Sequence, residues 1–373
     1  MTYTPLELYS IYFYDHDGTT QFLVQDWSRL EYHQRINSSW NHQITLEFGS
    51  DSPRVAQYRN IQDDWIVRIF RIDPILLTES LVYEGFNTTI VDQVRANGNI
   101  IINLYGVGYT DLLRRRLVLP PTGETHSTKS GVAETVIKEY VADCMVSPTD
   151  TDRIFPGVTI ETSGGFGDIV EYNARYVILY SVCQTLAEDG NIDFGIVGGD
   201  TVSEFIFKAK SIWGTDRRDD IIFSIENDNM VIPILSLNSS AEQNFAYVGG
   251  AREGIDRVIQ LVANFTAIAR SPWGRKEVFV EARQQTDTQS LISAGIDELN
   301  SRKKEQKLTF NVQQTIQSRW LQDWFLGDLI TAKYYTYEFE KQITEIGVVV
   351  TAGQTAQQPE VISVELTDYE KAV

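Results

Sequence analysis

Side-chain alternation with a period of two is the feature that most constrains this chain. Leu30-Glu31-Tyr32-His33, Gln43-Ile44-Thr45-Leu46-Glu47-Phe48 and Trp65-Ile66-Val67-Arg68-Ile69-Phe70-Arg71 alternate apolar with polar residues. An extended backbone sends successive side chains to opposite faces, so each segment predicts a strand with one face in a core. Leu6 to Tyr14 runs into Asp15-His16-Asp17-Gly18, where Asp and Gly suit turn dihedrals, and a hairpin is predicted there. Leu81 to Tyr83 before Gly85 and Ile100 to Tyr105 before Gly106 repeat the theme. Short strands with regular turns predict a barrel or sandwich over residues 1–118. The 18 Tyr and 17 Phe agree with this, because aromatic side chains favour strands and interfaces.

The period changes after Pro120-Pro121. From Gly131 to Cys144, Val132, Val136, Ile137, Tyr140, Val141 and Cys144 share one helical stripe, which predicts an amphipathic helix. A second helix is predicted from Tyr172 to Glu188, stopped by Gly190 as a left-handed cap. Strands return at Phe205 to Lys210, Ile221 to Ile225, Val231 to Leu235 and Phe245 to Val248, whereas Gly254 to Ala269 fits either period. Asp287 to Lys304 predicts a helix with Asp287 as its N-cap. The end is β again: Asp328 to Lys333, Glu340 to Val350 and Glu360 to Leu366, the last two joined by the Gln-rich stretch Gly353 to Pro359. The result is a coarse duplication of β and helix-bearing regions. At 373 residues the chain exceeds one core, and roughly two to four domains are expected.

A formal charge of −19 and a sequence pI near 4.6 argue against phosphate-backbone binding, which draws on clustered Lys and Arg. Cys144 and Cys183 have no second Cys or His at ligand spacing, so a reduced setting is expected and no metal is. Met1 to Pro5 lacks the pattern of a secretion signal and no run of about 18 apolar residues occurs; neither a signal nor a membrane span is expected. His16, His33, His42 and His126 sit in no catalytic motif. Ser163-Gly164-Gly165-Phe166-Gly167-Asp168 is glycine-rich but lacks the spacing of a dinucleotide fingerprint and the Lys-Ser/Thr of a P-loop, so a flexible loop is the better reading. Asp63-Asp64, Asp219-Asp220 and Glu226/Asp228 could pair as glycosidase acids, yet 51 carboxylates make such pairs common. Asp15 to Gly18 opens like a calcium loop without the later bidentate Glu. No catalytic residue and no cofactor is expected.

Arg114-Arg115-Arg116 is the one basic cluster. It is predicted on a strand leaving the first β region, either as a charged edge that discourages pairing or as an inter-subunit salt-bridge site in an acidic protein.

Six patches, in order, are Tyr14-Asp15-His16-Asp17-Gly18 with Trp27-Ser28-Arg29-Leu30-Glu31, Glu84-Gly85-Phe86, Gly106 to Arg116, Gly214-Thr215-Asp216-Arg217, and Leu326-Gly327-Asp328. In these the chain resembles the tail hub proteins of long-tailed phages, the siphophage family that shares the baseplate-hub fold of contractile tails. It departs from them at Asn37-Ser38-Ser39-Trp40-Asn41, where a glycine-containing turn is expected after Arg35. The resemblance implies a mixed, β-rich α+β fold. It would have two barrel-like antiparallel β domains (1–118, and 199–250 with 320–373), each accompanied by a helix-containing domain (119–198 and 251–319). It implies a structural, non-enzymatic homotrimer in the virion tail tip, made in the host cytoplasm. Such a hub joins a sixfold tail tube or distal tail ring protein to a central tip or fibre protein, can neighbour the tape measure protein, and forms a conduit for DNA ejection. A receptor-binding or glycan-cleaving tail protein is the alternative.

Overall fold

Every strand expected between Leu30 and Tyr105 forms. The computed structural model describes residues 8–19, 21–24, 26–73, 76–283, 287–352 and 360–368; the expected Gly353 to Pro359 connection and the Met1 to Pro5 leader reading lie outside them. β1 (Tyr9–Tyr14), β2 (Gln21–Val24), β3 (Trp27–Arg35), β4 (Asn41–Phe48), β5 (Ile66–Ile72), β6 (Glu79–Val94) and β7 (Ile100–Gly108) make an antiparallel array, with a short helix α1 (Val55–Tyr58) after β4. Alternation does the sorting: Ile11 and Phe13, Leu30 and Tyr32, Ile44 and Leu46 are fully buried and their neighbours are not. The first turn closes as the sequence requires. Gly18 has φ +70 and donates to the Asp15 carbonyl at 3.0 Å, while the Asp15 carboxylate accepts from Thr19 N at 2.8 Å.

A 3-10 helix, Tyr109–Arg115, then leads into β8 (Leu117–Val118), β9 (Ser127–Val132) and α2 (Ala133–Val141), which widens into a π turn at Ala142–Val146. β10 (Val158–Ile160), β11 (Ile169–Ala174), β12 (Val177–Ile178), α3 (Leu179–Asp189), β13 (Asp193–Gly198) and β14 (Phe205–Lys210) complete this region. The helix expected from Tyr172 starts only at Leu179, because Ile169–Ala174 instead pair with Ser127–Val132. Gly190 is not the left-handed cap either. Its φ is −93, and Asn191 takes the left-handed conformation at φ +55. Glycine is required at 190 for closeness: a Cβ there would lie 2.0 Å from the Ala133 Cβ at the start of α2. Val136, Ile137, Tyr140, Val182, Cys183 and Leu186 build the core between α2 and α3.

The rest of the chain supplies β15 (Ile222–Ser224), β16 (Met230–Asn238), β17 (Phe245–Gly249), β18 (Ile259–Ala263), α4 (Phe265–Arg270), β19 (Glu277–Glu281), α5 (Thr288–Ser301), β20 (Glu305–Val312), β21 (Leu329–Tyr334), β22 (Tyr337–Thr351) and β23 (Glu360–Asp368). Two units result. One comprises the chain to Pro233 with Thr309–Leu366, the other Ile234–Leu308. In the second, β17 pairs antiparallel with β18 and parallel with β19, and Ala246 and Val248 face Leu291 and Leu299 of α5. Asp287 caps α5 as predicted, its carboxylate accepting from Ser290 N at 2.8 Å.

Most of the strands expected to build two separate barrels join in one 13-stranded sheet, ordered β16-β20-β23-β22-β3-β4-β7-β6-β5-β1-β2, with β21 on β22 and β15 on β21, whereas β14 and β17 lie in two separate three-stranded sheets. No closed barrel is present among the described residues. β22 explains the joining. Tyr337 to Gln342 pair with β21, and Glu345 to Thr351 continue onto β3. At that seam Glu345 accepts from Arg35 Nε and a second Arg35 nitrogen at 2.9 Å each and lies 2.7 Å from His33 Nδ1. Burial works to raise the Glu345 carboxyl, but His33 and Arg35 hold it at about 2. His33 is raised by the same Glu345 bond, against burial.

Two outcomes are expected. Gly190→Ala forces α2 and α3 apart and costs about 1–3 kcal/mol of stability in urea unfolding. The Glu345 contribution, with its folded carboxyl below the unfolded value, is complete above pH ~4.5 and lost as pH falls toward 2; that of His33 is complete below pH ~6.5 and lost as pH rises through its raised folded value. Melting temperature therefore falls between pH 4.5 and 2.5 more steeply in the parent chain than in Glu345→Gln.

Candidate functional site

The sequence patches meet in space as joints between strands. Gly85 lies opposite Gly108 and Asn87 opposite Gly106. A Cβ on Gly85 would stand 2.2 Å from the Val107 carbonyl oxygen, and one on Gly106 would stand 2.0 Å from that of Phe86, so Glu84-Gly85-Phe86 and Gly106 to Gly108 interlock by backbone approach. Beside them Glu84 pairs with Arg68 at 3.0 Å and accepts from Gly198 N at 3.0 Å.

Gly214 to Arg217 and Leu326 to Asp328 form a second joint across more than a hundred residues. The buried Asp328 carboxylate accepts from Thr215 N at 2.7 Å and Phe325 N at 2.9 Å and pairs with Arg217 Nε at 2.9 Å. Gly327, at φ +88, lets Gly214 N approach to 2.7 Å of where a Cβ would be. Burial raises the Asp328 carboxyl above its ordinary value, with the Thr215 and Phe325 amides and Arg217 opposing. At the departure after Arg35, Asn37 does what glycine was expected to do. It sits at φ +53, and its side chain accepts from Phe194 N at 2.7 Å and donates to Asp193 at 3.1 Å.

The glycine-rich loop does cradle an anion, and the anion is internal. Gly164 N and Phe166 N each donate to the Glu134 carboxylate at 2.9 Å, while Ala133 N and Glu134 N donate to the Asp168 and Phe166 carbonyls. Lys138, one turn along α2, pairs with Glu134 at 2.6 Å and donates to the Thr162 carbonyl at 3.2 Å; both side chains are buried. Burial works to raise the Glu134 carboxyl, but Lys138 and the two amides outweigh it and hold it below the usual range. The loop folds back on the first turn of the helix before it, so the N–H groups that a phosphate would need are taken.

Arg114 and Arg115 lie on the 3-10 helix rather than on a strand. Arg114 pairs with Asp111 at 3.0 Å and stacks 3.7 Å over the Tyr180 ring. Arg115 pairs with Asp64, and its guanidinium stands 5.6 Å from the Phe86 ring centroid. Arg116 donates instead to the Arg153 carbonyl at 3.0 Å.

Among the described residues no group of three His, Cys, Asp and Glu side chains is placed to hold a metal ion. His42 is buried beside Tyr83, and burial lowers its pKa to about 3. Burial pushes the Cys144 thiol up to about 11 and Cys183 well above its ordinary value, so both are inert thiols packed in the α2–α3 core. His33 is engaged by Glu345 and Glu31. These titratable groups serve packing and ion pairing.

The family profile described as "Siphovirus ReqiPepy6 Gp37-like protein" matches residues 10–361. No curated protein matches the chain in sequence. The fold is shared with the 43 kDa tail protein of prophage MuSo2 from Shewanella oneidensis, at 12% identity and a TM-score of 0.62, over 98% of this chain and 99% of that one. It is also shared with a tail protein from Neisseria meningitidis MC58 (8% identity, TM-score 0.59, 96% of each chain). A third match is the prophage tail protein gp18 from Listeria monocytogenes EGD-e (10% identity, TM-score 0.55, 97% and 95%).

Removing the internal anion tests the loop assignment. Glu134→Ala leaves the buried Lys138 ammonium without its counter-charge and two amides unpaired, and is expected to cost about 3–5 kcal/mol in chemical denaturation.

Proposed function

The chain belongs to the Siphovirus ReqiPepy6 Gp37-like protein family, and from that membership we propose that it is the structural hub at the tip of a siphophage tail. The observation that carries this reading is the family match over nearly the whole chain, joined to a fold shared end to end with two prophage tail proteins and a further tail protein. In this reading the chain acts as a homotrimeric adaptor, mating a sixfold tail tube or distal ring with a central tip or fibre and lining the conduit for DNA ejection.

Sixfold-to-threefold matching needs two similar halves per subunit. The proposed halves are residues 1–118 and residues 199–250 with 320–373, each barrel-like and each accompanied by a helix-containing part (119–198 and 251–319). The long strand β22 would join these halves, pairing with β21 of one and with β3 of the other in turn. A net charge of −19 suits a wall past which DNA slides without sticking. The role proposed is mechanical rather than catalytic, with Glu84, Glu134, Asp328 and Glu345 each spent on an internal ion pair. The Arg114 to Arg116 segment is proposed to lie at a boundary between copies.

Imaging of assembled particles is expected to count three copies of this chain in one ring at the tail tip. Six copies in a ring, or cleavage of host envelope glycans by the isolated chain, would contradict the proposal.

A further inference from the structure

The two-stranded ribbon of β8 and β12 leaves an apolar face uncovered. Leu117 lies opposite Ile178 and Val118 opposite Val177, and Tyr176 N donates to the Val118 carbonyl at 2.8 Å. Alternation turns Val118 into the core and sends Leu117, Leu119, Tyr176 and Ile178 outward, where they are 43%, 41%, 60% and 40% exposed. Four adjacent bulky apolar side chains left in water mark an interaction surface. Tyr176 adds a second observation: it holds φ +51, a conformation unfavourable for a bulky residue, with its ring in solvent. Strain of this kind collects where a side chain serves a partner.

The rim is cationic and uncompensated. Arg116 donates to the Arg153 carbonyl, Arg153 to the Leu117 carbonyl at 2.5 Å, and Arg175 stands 5.5 Å from the Tyr176 ring centroid. Among the described residues none of the three forms an ion pair with a carboxylate, although the chain carries 51 Asp and Glu against 32 Lys and Arg. Burial, and after it the neighbouring Arg153 and Arg115 charges, lowers the Arg116 pKa, and a carboxylate placed beside these cations would oppose both effects. The occupant must therefore offer carboxylates beside apolar side chains.

This chain offers such a surface itself. The turn between β15 and β16 exposes Glu226 and Asp228, which form no ion pair among the described residues, next to the exposed Ile225, and β16 exposes Ile232 four residues further on. Ile232, β-branched and 67% exposed, is also held at a left-handed φ of +52. We propose that the β8–β12 face, with Arg116, Arg153 and Arg175, docks on the Glu226–Asp228 turn of a second copy of this chain. The contact joins unlike surfaces and is therefore heterologous, the kind that closes copies into a ring. It rests on the trimeric hub reading and names the surfaces through which copies meet.

The test is sedimentation velocity on the full chain, with Arg175→Glu and Tyr176→Asn as variants. Both residues are exposed, and Asn tolerates a positive φ, so melting temperature should stay at the parent value. Self-association is expected to weaken at least about tenfold in each. Glu226→Gln with Asp228→Asn should weaken it from the other side. A photo-crosslinking residue at position 178 is expected to capture the 226–228 turn of another copy in assembled particles. Variants that keep the parent oligomer, or crosslinks that land in a different tail protein, overturn this surface and leave the trimer standing. A parent chain that stays monomeric at tens of micromolar overturns both.

Discussion

One strand holds the two ends of the chain together. β22 runs 15 residues, long enough to pair with its sequence neighbour β21 through one half and with β3 through the other. Strands from the first fifty residues and the last fifty thereby share a single hydrogen-bonded ladder, and the 13-stranded sheet is continuous because of it. The same closure buries Arg71 of β5 against Glu360 of β23, with Arg71 Nε 3.0 Å from the carboxylate, Tyr9 of β1 donating to it and Gln314 adding a bond at 3.1 Å. A buried ion pair repays its desolvation only when its remaining polar atoms are satisfied. Here residues from four distant segments satisfy them, so the pair fixes register as much as it stabilises.

Close backbone approach is the second recurring device. At Gly85 against Val107 and at Gly214 against Gly327 the backbone comes nearer than a Cβ permits, and each place stands beside a carboxylate, Glu84 or Asp328, that accepts from backbone N–H and pairs with an arginine. Such joints resist sliding, because a shift by one residue puts a side chain where only glycine fits and strips the carboxylate of its donors. Charge follows the same division: the 234–308 segment has ten Lys and Arg against nine Asp and Glu, so the net negative charge of the chain resides outside it.

Local sequence was informative wherever the deciding partner was near. The Asp15–Gly18 turn, the strands of residues 30–105 and the Asp287 cap each depend on residues within a few positions, and each formed as read. It misled where one pattern served two structures. Tyr172 to Ala174 fits the start of a helix stripe, and only the presence of β9 alongside made it the end of a strand. Gly190 has the composition of a helix stop, yet its requirement comes from Ala133, 57 positions earlier.

By itself, then, the sequence determined the β-rich class, the positions of most elements and, through ordered patches, the family. Periodicity reports which face of a segment is buried, and that is a local quantity. Tertiary structure alone decided that most of the strands form one sheet, that Glu134 fills the glycine-rich loop, and that Arg115 is neutralised by Asp64 while Arg116 is left to a different neighbourhood. Those outcomes depend on which residues far apart in the chain come within 3 Å of one another, and no spacing along the chain encodes that.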